Sequence, residues 1–289
     1  MFQGSLVALV TPFKNGKVDF ATLRRLVDWH VEQGTDGLVP VGTTGESPTV
    51  SFDEHKKVIE AVVRHTDGRI PVVAGAGANS TAEALELARF AKSVGADATL
   101  QVCPYYNKPT QEGLYRHFAT IAEKVKLPMV LYNVPSRTVV SLAPATVARL
   151  AKVQNIVAIK EATGSMDQTS EILALCDITV LSGDDSLTLP LMSIGAKGVI
   201  SVVANIVPRD VHDLTQEALE GDFLCAQRLH AKLYPLCRAM FFETNPIPVK
   251  TACGLLGLCS SELRLPLCEM GADSRKKLEA AMKQYGLVK

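Results

Sequence analysis

Short apolar, β-branched runs recur along most of the chain, each separated from the next by a longer stretch of mixed character. The runs are Ser5–Val10, Leu38–Val41, Ile70–Ala74, Ala98–Cys103, Met129–Asn133, Ile156–Lys160, Ile178–Ser182 and Val199–Val203. They stay apolar at nearly every position instead of alternating, which is the pattern of parallel strands covered on both faces. Between them apolar residues fall at helical spacing, as at Val58, Ile59, Val62 and Val63. Ser51–Glu54 and Ser80–Glu83 predict capping boxes, in which the serine accepts from a first-turn N–H and the glutamate reaches back to the serine N–H. Gly34, Gly95 and Gly195 fall where helices should stop. Pro71 and Pro128 fall near strand starts, where a missing N–H matters least.

Eight parallel strands alternating with helices predict an α/β fold of the closed (β/α)8 TIM barrel type over residues 1–221. A doubly wound open sheet is the rival, but no Gly-rich dinucleotide fingerprint follows the first run. From residue 222 to 289 the strand pattern stops. That C-terminal helical region is broken at Pro246, Pro248 and Pro266 and suits the packing of subunits.

Composition narrows the function. With 30 basic and 30 acidic residues and 47% apolar content, the chain is neither disordered nor a general nucleic-acid binder. No run approaches the ~18 apolar residues of a membrane span, and the N-terminal stretch lacks a basic, signal-like region. The seven cysteines are odd in number and form no CxxC pair, so buried free thiols and a cytoplasmic location are expected. No His/Cys spacing resembles a zinc site.

In a TIM barrel the chemistry lies at the C-terminal strand ends. Lys160 closes the apolar run Ile156–Ile159. Desolvation there favours a neutral amine able to attack a carbonyl, the chemistry of Schiff-base lysines. The alternative is an ion pair with Glu161 or Asp184, and alternation along a strand makes Glu161 a poor partner. Tyr132 and Tyr106 also follow apolar runs and can pass protons with Thr43 and Thr44 in a hydroxyl relay. A lone tyrosine at a strand end is more often a hydrogen-bonded packing residue; it is the pair, with the threonines, that suggests the relay. Arg137 can read a carboxylate in a bidentate fashion, or lie solvated in a loop. Asp184 and Asp185 have no third ligand beside them and read as a strand-end turn, not a metal site. All six histidines fall on predicted helices, and none is assigned to catalysis.

The motifs Gly42-Thr-Thr-Gly-Glu-Ser47, Pro104-Tyr-Tyr-Asn107, Tyr132-Asn-Val-Pro-Ser-Arg-Thr138, Ile159-Lys-Glu-Ala-Thr-Gly164, Ser182-Gly-Asp-Asp185 and Asn245-Pro-Ile-Pro-Val-Lys250 together resemble the pyruvate-dependent class I lyases, the N-acetylneuraminate lyase family. They resemble in particular the branch that condenses pyruvate with L-aspartate 4-semialdehyde on the diaminopimelate route to lysine. The resemblance implies that Lys160 forms the imine with pyruvate. Thr43 and Thr44 then hold its carboxylate and join Tyr132 in the relay, and Tyr106 completes the relay of a neighbouring subunit. Gly183 and Ile200 line the pyruvate pocket, and Arg137 binds the carboxylate of the semialdehyde. It further implies a homotetramer built as a dimer of dimers and no metal or organic cofactor. It implies a lysine-binding allosteric site at Ser47, Pro48, Phe52, His55, Asn79, Glu83 and Tyr105. Phe52 and Pro48 depart from a family pattern that often has histidine and alanine there. The alternatives within the resemblance are N-acetylneuraminate lyase, a keto-sugar-acid aldolase, or a barrel that binds a keto acid without turnover. The paired threonines and Arg137 favour the semialdehyde branch.

Overall fold

The structure is a computed structural model and describes residues 2–289. Its eight parallel barrel strands are β1 Gly4–Ala8, β2 Gly37–Val39, β3 Val73–Gly75, β4 Ala98–Val102, β5 Met129–Asn133, β6 Ile156–Glu161, β7 Thr179–Ser182 and β8 Gly198–Ser201. Each falls within or at the edge of one of the eight runs read from the sequence. The strands pair in the order β2-β1-β8-β7-β6-β5-β4-β3. A bridge between Leu38 and Val72 closes the ring between β2 and β3, helped by Gly75 N–H donating to the Pro40 carbonyl at 2.9 Å. This is a (β/α)8 TIM barrel. The β1–β8 seam is tight. A Cβ on Gly198 would lie 2.0 Å from the Gly4 carbonyl oxygen, so only glycine fits there.

The helices are α1 Phe20–Glu32, α2 Phe52–Thr66, α3 Thr81–Ser93, α4 Gln111–Val125, α5 Pro135–Thr138, α6 Pro144–Leu150, α7 Met166–Leu175, α8 Thr188–Ser193 and α9 Pro208–Glu220, followed by α10 Phe223–Ala239, α11 Ile247–Leu255 and α12 Ala272–Tyr285. Ser51 and Glu54 form the reciprocal capping box expected of α2. Ser80 does not: it is the N-cap of α3, but its side chain makes no capping hydrogen bond. Its would-be partner Glu83 lines a cavity instead. Gly34, Gly95 and Gly195 all take positive φ at helix ends, as a left-handed C-terminal turn requires.

Side chains segregate into two apolar layers. Leu6, Ala8, Val39, Val73, Ala98, Leu100, Val130, Ala158, Leu181 and Ile200 fill the barrel interior. A larger cluster lies between the strands and the surrounding helices and runs on through Leu233, Leu236, Val249 and Leu278 of the C-terminal helices. Full burial of such a side chain stabilises by about 1.5–3 kcal/mol. No helix is long and apolar enough to cross a membrane among the described residues.

All seven cysteines are free, but burial is uneven. Cys103, Cys237, Cys253 and Cys259 are buried, Cys176 and Cys225 are half-buried, and Cys268 is exposed, so the expectation of buried free thiols fails at the last three. All six histidines lie on helices.

One irregularity decides where the strand-six lysine points. Met129 pairs with Ile156, yet Val130 pairs with Ala158, so Val157 is an extra residue in the ladder. Ile156 packs in the outer layer and Ala158 in the inner one. The bulge therefore flips the alternation of everything after it, and Lys160 faces the same side as Ala158.

Candidate active site

A cavity of about 460 Å³ opens at the C-terminal ends of the strands. Lys160 of β6 and Tyr132 of β5 are register partners within its wall. The Lys160 ammonium stands 4.4 Å from the centroid of the Tyr132 ring, a cation–π distance. Lys160 is 5% exposed and makes no ion pair among the described residues. Glu161 points to the other face. Its carboxylate accepts from Asn133 Nδ2 at 3.1 Å and from Thr163 N–H at 2.9 Å.

The turn after β2 supplies Thr43 and Thr44. Its backbone is constrained on both sides. Val41 holds φ 52°, a conformation that costs a β-branched residue. A Cβ on Gly45 would come within 2.9 Å of the Val41 backbone, so glycine is required. Glu46, also at positive φ, anchors the turn from beneath through an ion pair with Lys250 of α11 at 2.7 Å. Both side chains are fully buried. Lys250 Nζ also donates to the Thr11 carbonyl at 3.0 Å and to the Glu262 carbonyl.

Gly183 and Asp184 after β7 and Val202 after β8 complete the barrel side of the wall. Burial pushes the Asp184 carboxyl up, and the nearby Lys160 charge works against that. Asp185 behaves as the turn residue expected of it. One of its oxygens accepts from the Val202 and Val203 N–H groups at 3.0 and 2.9 Å, and burial raises its carboxyl above the usual range.

Of the other expected residues, Arg137 on α5 lines the cavity and donates to the Asn245 carbonyl at 3.1 Å. Ile200 does not reach the cavity surface. It is fully buried in the inner layer beneath, and Val202 lines the wall instead. Tyr106 stands away from this cavity, 89% exposed at φ 69°. The C-terminal helical segment contributes Phe241, Glu243, Thr244 and Asn245. The motif Asn245–Lys250 was visible in the sequence, but no role followed from spacing alone, because nothing local says that this loop folds back over the barrel mouth.

A second cavity of about 330 Å³ adjoins the first and shares Thr43, Val134 and Arg137 with it. Ser47, Pro48, Phe52, His55, Glu83 and Tyr105 line it. Asn79 does not; its carbonyl accepts from Asn107 Nδ2 at 2.9 Å. The His55 ring is tied to the Gly75 carbonyl at 2.6 Å, and burial lowers its pKa.

Residues 1–285 match the model of the dihydrodipicolinate synthetase family. The chain is 60% identical to a 4-hydroxy-tetrahydrodipicolinate synthase of Pelobacter propionicus, over 100% of both sequences. Its fold superposes with a TM-score of 0.97 on the chloride-inhibited dihydrodipicolinate synthase from Acinetobacter baumannii complexed with pyruvate, at 49% identity and 100% coverage of both chains. The enzyme from Cyanidioschyzon merolae with lysine bound matches with a TM-score of 0.96 at 39% identity, covering 99% of each chain. The eight-stranded barrel, the wall lysine and the full-length matches agree: the chain belongs to the dihydrodipicolinate synthetase family.

Proposed function

We propose that the chain condenses pyruvate with L-aspartate 4-semialdehyde to give 4-hydroxy-tetrahydrodipicolinate. The observation that carries this reading is Lys160, a buried lysine with no carboxylate partner among the described residues, set against Tyr132 in the barrel-mouth cavity. A lysine used only for packing or charge balance would take an ion partner, as Lys250 does. The pyruvate complex of the Acinetobacter baumannii relative supports the first substrate.

The steps follow from the groups present. The Lys160 amine adds to the keto carbon of pyruvate, and water leaves as the iminium forms. The cationic nitrogen acidifies the methyl group, whose proton passes into the Tyr132 and Thr44 hydroxyls. The resulting enamine attacks the aldehyde carbon, and the relay returns a proton to the new alkoxide. The adduct's own amine then attacks the iminium carbon, closing the ring and releasing Lys160. Arg137 at the rim holds the semialdehyde carboxylate as a charge-assisted pair.

Tyr106 is exposed and does not line its own cavity, which supports its use in the site of a neighbouring subunit within a homotetramer. The second cavity is the place for lysine as inhibitor, with Glu83 meeting its amine. The free thiols fit the cytoplasm. Turnover of pyruvate with aspartate semialdehyde tests the reading. Consumption of both substrates, with no cleavage of sialic acid, is expected. Absence of turnover with this pair overturns it.

A further inference from the structure

Asn245 ties two groups of the cavity together. It is 5% exposed, lies just before α11, and lines the cavity. Its Nδ2 donates to Thr44 Oγ1 at 3.0 Å, across a sequence separation of 201 residues. Its backbone carbonyl accepts from Arg137 Nη2. The side-chain Oδ1 is buried without a partner among the described residues.

A hydroxyl carries one proton and two acceptor lone pairs. Asn245 presents a donor to Thr44, so the proton of Thr44 must point elsewhere. No group among the described residues takes it, and Thr44 lines the cavity. A proton relay has a direction: each hydroxyl accepts on one side and donates on the other. The amide of Asn245 imposes that direction at one link.

We infer that Asn245 is a positioning residue, one that turns the Thr44 hydroxyl so that it donates into the cavity. The inference rests on the proposed condensation on Lys160. When the methyl C–H bond of the iminium breaks, its electron pair moves toward the cationic nitrogen to give the enamine. The proton enters the hydroxyl chain, and an equivalent proton leaves its far end to solvent. An oriented Thr44 is needed for that transfer but not for imine formation.

The two parts separate experimentally. Borohydride trapping with pyruvate reports the imine, and exchange of the pyruvate methyl protons in heavy water reports the relay. Asn245→Asp replaces the donor by an acceptor-only group and draws the Thr44 proton away from the cavity. It is expected to keep the trapped adduct while slowing exchange about a hundredfold. Asn245→Ala removes the orienting bond but keeps the backbone contact to Arg137. It is expected to slow exchange about tenfold with the semialdehyde KM within about threefold of wild type. If Asn245 acts through Thr44, adding either change to Thr44→Val costs less than about twofold more. Wild-type exchange rates in both variants, or losses that multiply in the double variants, overturn the inference. A wild-type protein that traps no pyruvate overturns the condensation itself, and the inference with it. Where Asn245→Asp fails to fold, as circular dichroism shows, Asn245→Ala and its double variant decide.

Discussion

Tyr132 and Lys160 sit opposite one another on β5 and β6, with the ammonium 4.4 Å from the ring centroid, because the ladder skips Val157. The same contact gives the ring a part in holding the lysine, whereas the proposed proton relay uses only the phenol. Tyr132→Phe separates the two. Packing and the cation–π contact survive, so pyruvate is still trapped on Lys160. Turnover is expected to fall by about 10²- to 10⁴-fold. Steady-state kinetics beside borohydride trapping check this, and a variant with near wild-type kcat contradicts the relay.

The buried Glu46–Lys250 pair joins the threonine turn to α11. Removing one partner leaves a charge stranded in the core. Lys250→Met is expected to cost about 3–5 kcal/mol, whereas breaking both charges together costs less. Urea unfolding of Lys250→Met and of Glu46→Gln/Lys250→Met measures the two. A double variant less stable than the single one contradicts this reading.

Arg264 clamps Glu54 with two bonds of 2.7 Å. This holds the Glu54 carboxyl down to about 2, below its ordinary 4.5. The folded-state pKa is the lower one, so the contribution is complete above 4.5 and is lost as pH falls toward 2. The pair is partly solvated, and Arg264→Ala is expected to cost about 1–2 kcal/mol at neutral pH. Chemical denaturation across the acid range should show the gap from wild type closing. A gap that stays constant down to pH 2 contradicts the linkage.

Cys268 is the exposed thiol, while Cys103 is buried and its pKa is pushed up to about 12 by burial and by the Glu161 charge. The thiolate is the reactive form. A thiol reagent added to the native protein is expected to modify Cys268 first, and Cys268→Ser removes that fast phase. Labelling of Cys103 at the same rate contradicts the burial.

The barrel was legible because eight apolar runs and their capping and stop residues repeat the same unit. Lys160, Tyr132, Thr43, Thr44 and Arg137 were legible because each ends or follows one of those runs. Two features were not. The bulge at Val157 has no residue signature, since a valine fits a regular strand equally well, yet it aims Lys160. The contribution of Asn245 depends on where a distant loop comes to rest. The failed capping bond at Ser80 is a third case: the local pattern was present, but the Ser80 side chain makes no capping bond and Glu83 lines a cavity.

The most direct test of the Lys160 chemistry is reduction with borohydride in the presence of pyruvate, followed by peptide mapping. A reduced pyruvate adduct on the peptide containing Lys160, lost in Lys160→Arg, is the expected result. No adduct, or an adduct on another lysine, would contradict it.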